Sequence, residues 1–234
     1  MSIGHVGFQA WTKVSRPRRE LVDRLAVHTP PDLADAMHGA GAMGAEIRPL
    51  YLPIRKIAGP AVTVSVPNAT LSVVKLGMQQ TQSGDVVVVN ARGSTTWALW
   101  GGNMSRSMSR RGLSGAILDG AARDPSESRD ADFPVFCRAT AVNAPPSEGP
   151  GEVNVPIACG GVVVFPGDII IGDENGIVVI PLAEAEWVLE KVVELKTKRA
   201  SLQPILERGE VTNIEAITKS LLGQGYVMRD GENA

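Results

Sequence analysis

The stretch RRELVDRLAVH, residues 18–28, sets Leu21, Val22 and Leu25 on one side of a 3.6-residue period with charges on the other, which predicts an amphipathic helix. TPPDLADAMHG (29–39) predicts a second, shorter one: Thr29 can cap it, the prolines fit its first turn and Gly39 stops it. The period then changes. AVTVSV (61–66) and DVVVVN (85–90) are strand-like runs, and a helix-sized stretch from Leu71 to Thr81 separates them. GAILD (115–119) reads as a core strand that follows the segment 94–112.

Beyond a Pro/Gly/Ser-rich loop at 144–151 the chain becomes β-rich. GGVVVFPGDIIIGDENGIVVIP (160–181) holds three apolar runs divided by Pro166-Gly167 and Asn175-Gly176, two turn signals that predict antiparallel strands. LAEAEWVLEKVVELKTKRASLQPILERG (182–209) predicts a long amphipathic helix interrupted at Pro204. Residues 1–17 show no clear period and are expected to form an arm, with 18–234 as a single domain. The order α, mixed β/α, β, α fits an α/β domain with layered sheets and peripheral helices.

Composition narrows the function classes. The 234 residues, 44% of them hydrophobic, suffice for a sizeable core. A net charge of -2 gives no electrostatic reason to expect a nucleic acid or an anionic membrane as partner. The small basic clusters (Arg16, Arg18, Arg19; Arg106, Arg110, Arg111) read as solvated helix faces. No apolar run approaches the ~20 residues that span a bilayer, and the N-terminus lacks a signal-peptide core. Cys137 and Cys159 sit in apolar segments without metal or redox spacing, so they are expected to be buried free thiols in a reducing cytoplasm.

Common catalytic patterns are absent. His5, His28 and His38 all fall within the first 38 residues, which leaves little material for a histidine triad or a zinc site, and the last two read as capping or surface groups. No G-x-S-x-G, phosphate-loop or dinucleotide fingerprint occurs. The segment 100–124 remains. Gly101 and Gly102, in WGGN, stand where the chain would enter a helix through Met104 to Arg111. Glycines let backbone approach a ligand, and a helix start presents N–H groups to an anion.

After the next strand, Asp119-Gly120 would swing Arg123 and Asp124 to its carboxyl end, the place where α/β folds bind ligands. A guanidinium suits a carboxylate or an enolate, and a lone carboxylate suits Mg²⁺. These features fit a 2-oxo acid. On pattern alone the segment reads equally as a glycine turn beside a surface ion pair, of the kind repeated at Arg129-Asp130 and Arg229-Asp230.

DLADAM, GAEIRPL, KIAGPAVTV, SGDVVVVN, RRGLSGAILDGAARD and VPIACGGVVVFPGDIIIGDENGIVVIP, taken together, resemble the RraA-like family. That family includes 4-hydroxy-4-methyl-2-oxoglutarate/4-carboxy-4-hydroxy-2-oxoadipate aldolases and the regulator of ribonuclease activity A. The resemblance implies a swivelling ββα-type domain that assembles into homotrimers or hexamers, with sites between subunits. It implies that Arg123 contacts the oxo-acid oxygen, that Asp124 holds Mg²⁺ or Mn²⁺, and that the backbone of Gly101, Gly102, Asn103 and Met104 receives the pyruvyl carboxylate.

Two positions depart from the aldolases. Gly102 stands where they carry Asp or Glu. Arg199 or Ala200 stands where they use a glutamate from the neighbour's C-terminal helix, with Glu194 a looser match. Both acids serve proton transfer there. The activity implied is a metal-dependent lyase that cleaves a 4-hydroxy-2-oxo acid to pyruvate, with oxaloacetate decarboxylation through the same enolate. The alternative is a non-catalytic regulator that binds a ribonuclease.

Overall fold

The computed structural model describes residues 5–229, and the chain divides into two units, up to Val192 and from Val193 onward. The division falls inside the stretch 18–234 expected to be one domain. Residues 1–4 of the expected arm, and Asp230 of the last Arg-Asp pair, lie outside the described residues. The rest of the arm is not all irregular, because β1 (Phe8–Ala10) forms within it.

The first two helices follow the sequence closely. α1 (Arg19–Ala26) buries Leu21, Val22 and Leu25. In α2 (Pro30–Ala36) the Thr29 hydroxyl accepts the Asp32 N–H at 3.3 Å. Then come β2 (Arg48–Pro49) and β3 (Ile57–Ser65), followed by α3 (Leu71–Gln79) and β4 (Val86–Ala98). They lead to α4 (Gly102–Arg110), β5 (Gly115–Ala122), α5 (Pro125–Asp130) and β6 (Val135–Thr140). β3, β4, β5 and β6 pair parallel in that order, each joined to the next by a helix. β2 closes one edge, antiparallel to β6. At the other edge β7 (Gly151–Val153) runs antiparallel to β3, and β1 adds beyond it.

The valine run explains the layering. Val87 and Val89 point into a core with Val64, Leu118 and Trp100, which α3 and α4 cover through Val74, Met78 and Met108. Val86 and Val88 point the opposite way, into a core with Ile117 and Phe136. That second face is covered by β10 (Ile169–Asp173) and β11 (Gly176–Ile180), which contribute Ile170, Ile177 and Val179. β3 makes this possible by changing partner along its length. Residues Ile57 to Pro60 pair antiparallel with β10, and Ala61 to Ser65 pair with β4. The result is a mixed α/β architecture with helices on one face and a β layer on the other.

Of the two turn signals, Asn175-Gly176 does join an antiparallel pair, β10 and β11. Pro166-Gly167 does not. The strand before it, β9 (Val162–Val164), pairs backwards with β8 (Ile157–Cys159) in a separate two-stranded sheet. Gly167 turns the chain instead: its φ is +91°, and a Cβ there would overlap the Ser15 carbonyl.

α6 (Ala185–Ala200) follows a short 3-10 turn and runs into the second unit. It ends before Pro204, which opens α7 (Gln203–Glu207) in its first turn, and α8 (Ile214–Gly223) completes that unit. Among the described residues no helix is long and apolar enough to cross a membrane.

Candidate functional site

The site forms where β5 ends. Beyond Ala122 the Arg123 N–H donates to the Trp100 carbonyl at 2.9 Å, which brings the start of α4 beside the end of the strand. Asp124 takes the left-handed conformation, φ 57° and ψ 54°, a geometry aspartate tolerates. It immediately precedes α5. Its carboxylate is thereby turned onto α4: Oδ2 accepts the Gly102 N–H at 3.1 Å and lies 3.5 Å from Arg123 Nε. Gly101 must be small for this approach. A Cβ there would come within 2.8 Å of Asp124 Oδ2 and 3.3 Å of Arg123 Nε.

A buried polar chain fixes the two helices behind the site. Trp100 Nε1 donates to Ser105 Oγ at 3.0 Å, and Ser105 Oγ lies 2.8 Å from Ser128 Oγ, with both serines fully buried. Trp100 also stacks on Phe133 with ring centroids 5.6 Å apart. α4 and α5 therefore keep a fixed spacing, and with it the distance from the Gly101–Met104 backbone to Asp124. Nothing in the sequence pattern singles out Ser105 or Ser128, because isolated serines on helices are ordinary surface residues.

All the residues expected at the site meet. Gly101, Asn103, Met104, Arg123 and Asp124 line one recess of about 160 Å³, and Leu71 and Lys75 of α3 share it. Gly102 adjoins it through its hydrogen bond to Asp124. Arg123 and Asp124 also border a wider, open cleft with Thr95, Thr140 and Asn143. Their side chains are 43% and 36% exposed, so both remain available to a ligand.

The donor set suits a hard cation. Among the described residues no three His, Cys, Asp or Glu side chains gather as a metal cage. A single half-exposed carboxylate, with one oxygen engaged by a backbone N–H, fits Mg²⁺ or Mn²⁺, which keep most of their waters.

Gly102 departs from expectation in an instructive way. It sits in the first turn of α4, and no positive φ bars a side chain there. Space does: a Cβ on Gly102 would overlap both the Cβ and the carboxylate of Glu127 from α5. Glu127 thus occupies the volume a residue-102 side chain would fill, held by Arg106 at 2.8 Å. Sequence spacing gives no hint of this juxtaposition, which only the α4–α5 packing creates. Glu194, the looser candidate for the remote acid, lies in α6 and is engaged by Lys198 at 2.7 Å.

His28 is buried, not a surface group. Of the basic clusters, Arg18 and Arg19 lie on exposed faces as expected, 78% and 71% exposed, whereas Arg16 holds the buried Asp85 at 2.8 Å and Arg111 donates to the Met78 carbonyl at 3.0 Å. Cys137 and Cys159 are free and buried as expected, and burial pushes the Cys137 thiol up to about 11 and the Cys159 thiol higher still.

The profile of the RraA-like family (Aldolase/RraA) matches residues 30–179. A protein of Halalkalibacterium halodurans, named as a candidate 4-hydroxy-4-methyl-2-oxoglutarate aldolase, is 38% identical over 185 residues, 79% of this chain and 86% of the relative. The 4-hydroxy-4-methyl-2-oxoglutarate aldolase of Thermus thermophilus is 34% identical over 110 residues, 47% of this chain and 67% of the relative. Among solved structures, Streptomyces coelicolor RraAS2, described as an unusual member of the RNase ES inhibitor RraA protein family, superposes with a TM-score of 0.71. It does so at 26% identity over 82% of this chain and 99% of that one.

Proposed function

This chain belongs to the RraA-like family, and on that premise we propose that it is a divalent-metal-dependent lyase cleaving a 4-hydroxy-2-oxo acid to pyruvate. The observation that carries the reading is the meeting of the α4 start, Arg123 and Asp124 around one small recess. The acid's carboxylate would lie against the backbone of Gly101 to Met104, where the first-turn N–H groups favour an anion. Arg123 offers a planar donor fork to the 2-oxo oxygen, which gains negative charge as the reaction proceeds. Mg²⁺ or Mn²⁺ on Asp124 would add charge stabilisation at that same oxygen.

Cleavage needs a base for the 4-hydroxyl proton. As that proton leaves, the C4 oxygen collapses to a carbonyl, the C3–C4 bond breaks and its electrons form the enolate; the carbonyl fragment departs and reprotonation at C3 gives pyruvate. Glu127 lines a separate recess with Arg106, Ser109 and Arg110 and is paired with Arg106, so a water ordered by the metal would serve as the base. Oxaloacetate decarboxylation would pass through the same enolate without removing a hydroxyl proton. The family resemblance further supports a homotrimer or a dimer of trimers, and the two free cysteines fit a reducing cytoplasm.

The test is product identification. Incubation with 4-hydroxy-4-methyl-2-oxoglutarate and Mg²⁺, followed by NMR, should show the substrate converted to pyruvate alone. The likeness to RraAS2 favours a second reading, a protein-binding regulator of a ribonuclease. The open Arg123 and Asp124 favour the lyase, because a docking surface has no chemical need of a hard-cation carboxylate. No pyruvate from this substrate or from oxaloacetate, together with stable binding to a ribonuclease, would decide for the regulator.

A further inference from the structure

We infer that the wide cleft on the other side of Arg123 and Asp124 holds the half of the substrate that departs as a carbonyl compound, and that it favours a neutral, hydroxylated one. The inference rests on the lyase reading and adds the chemistry of its second product. Arg123 and Asp124 line both the small recess and a cleft of about 720 Å³. Cleavage at C3–C4 divides the substrate where these two side chains stand. The pyruvyl half goes to the α4 start, so C4 and whatever it carries extend into the cleft.

An irregularity of β4 builds this cleft. Ser94 pairs with Gly120 and Ala98 with Ala121, so β4 advances from 94 to 98 while β5 advances by a single residue. Thr95 and Thr96 fall in that excess, and both are exposed and line the cleft. Thr140, which ends β6, and Asn143 line it too. The loop after β6 is anchored: the Asn143 carbonyl accepts the Ala98 N–H at 3.0 Å, and the Ala141 N–H donates to the Ala122 carbonyl at 2.9 Å. Hydroxyl and amide side chains both donate and accept, which matches the hydroxyl groups of a small polyol-like fragment.

Charge is divided unequally between the two spaces. Lys75 and the start of α4 line the recess that takes the pyruvyl carboxylate. In the cleft the only cation among the described residues is Arg123, which is committed to the 2-oxo oxygen. A carboxylate carried there would give up water for neutral partners. A hydroxyl exchanges like for like. The volume leaves room for a hydroxyaldehyde of several carbons.

Two substrates that differ only at C5 test this. One, 4,5-dihydroxy-2-oxopentanoate, ends in a hydroxymethyl group, and the other, 4-hydroxy-2-oxoglutarate, ends in a carboxylate. Each gives pyruvate, with glycolaldehyde or glyoxylate as the second product. Pyruvate release by the full chain in Mg²⁺ should show kcat/KM about fivefold higher for the hydroxymethyl substrate, the size of one net hydrogen bond. The double variant Thr95→Val, Thr96→Val should erase that preference, and Thr140→Lys should reverse it by giving the carboxylate a cation. Equal cleavage of the two, faster cleavage of the carboxylated one, or a preference that either variant leaves intact would overturn the inference. So would decarboxylation of oxaloacetate with neither substrate cleaved. No pyruvate from these two or from oxaloacetate would instead overturn the lyase reading itself.

Discussion

Asp119, inside β5, and Asp124, two residues beyond its end, each face an arginine, yet they do opposite things. The Asp119 side chain is 9% exposed. It accepts from Arg138 Nε and from the Gly160 N–H at 2.9 Å, and Arg138 reaches on to Glu46 at 3.1 Å. That network ties β5, β6, the β8–β9 turn and the loop before β2, with both carboxylate oxygens engaged. Asp124 is 36% exposed, makes a looser 3.5 Å contact with its own neighbour Arg123, and borders a recess. The lesson concerns what each pair leaves over. A closed pair locks structure, whereas an open one can still bind something.

Substitutions can break this contrast from either side. Asp124→Asn should have the largest effect, no measurable metal-dependent turnover, while urea denaturation stays within about 1 kcal/mol of wild type because only a helix-start contact is lost. Wild-type turnover with Mg²⁺ in this variant would remove the metal assignment. Arg123→Lys should lose about a thousandfold in kcat/KM, equivalent to about 4 kcal/mol, since a point charge cannot reproduce a fork. Unchanged efficiency would make Arg123 a structural partner only.

Asp119→Asn should do the reverse. It leaves Arg138 without its main counter-charge and costs about 3 kcal/mol of stability, while kcat of the folded fraction survives. Equal urea midpoints for Asp119→Asn and wild type would dissolve the contrast.

How much of this the sequence discloses follows from the range of each interaction. The valine runs, the Thr29 cap and the turn at Asn175-Gly176 depend on neighbours in the chain, and all three form as their patterns predict. Arg123 and Asp124 were visible because they follow a core strand, but the turn expected at Asp119-Gly120 does not form: Asp119 and Gly120 both lie inside β5, which continues to Ala122. β4 runs well past DVVVVN to Ala98 because its far half rejoins β5 after register shifts around Asn90 and Ser94, a long-range event with polar residues that no periodicity marks. The β8–β9 pairing, the Ser105–Ser128 contact and the Asp119–Arg138 lock also join residues distant in sequence. Glu127 falls in the same class: only helix packing sets it against Gly102.

Smaller effects sharpen the picture around that last contact. Gly102→Asp must displace Glu127 from its Cβ outward, so it should cost about 1–3 kcal/mol in urea denaturation, as overpacking does. Gly102→Asp combined with Glu127→Gly should recover most of that loss, because only glycine removes the Glu127 Cβ from the same space, and failure to recover would show that the two positions do not compete for space. Smallest of all, thiol reagents at pH 8 should react with Cys137 only as fast as the protein opens, because burial holds its thiol at about 11. Rapid labelling of the native chain would contradict that burial.

The most direct measurement is pyruvate release from oxaloacetate, coupled to NADH oxidation by lactate dehydrogenase, with Mg²⁺ and with EDTA. Wild type, Asp124→Asn and Asp119→Asn would be compared at a temperature where all three are folded. The account predicts Mg²⁺-dependent release by wild type and Asp119→Asn, and none above the uncatalysed rate by Asp124→Asn. Release by wild type that EDTA leaves unchanged, or equal release by wild type and Asp124→Asn, would contradict it.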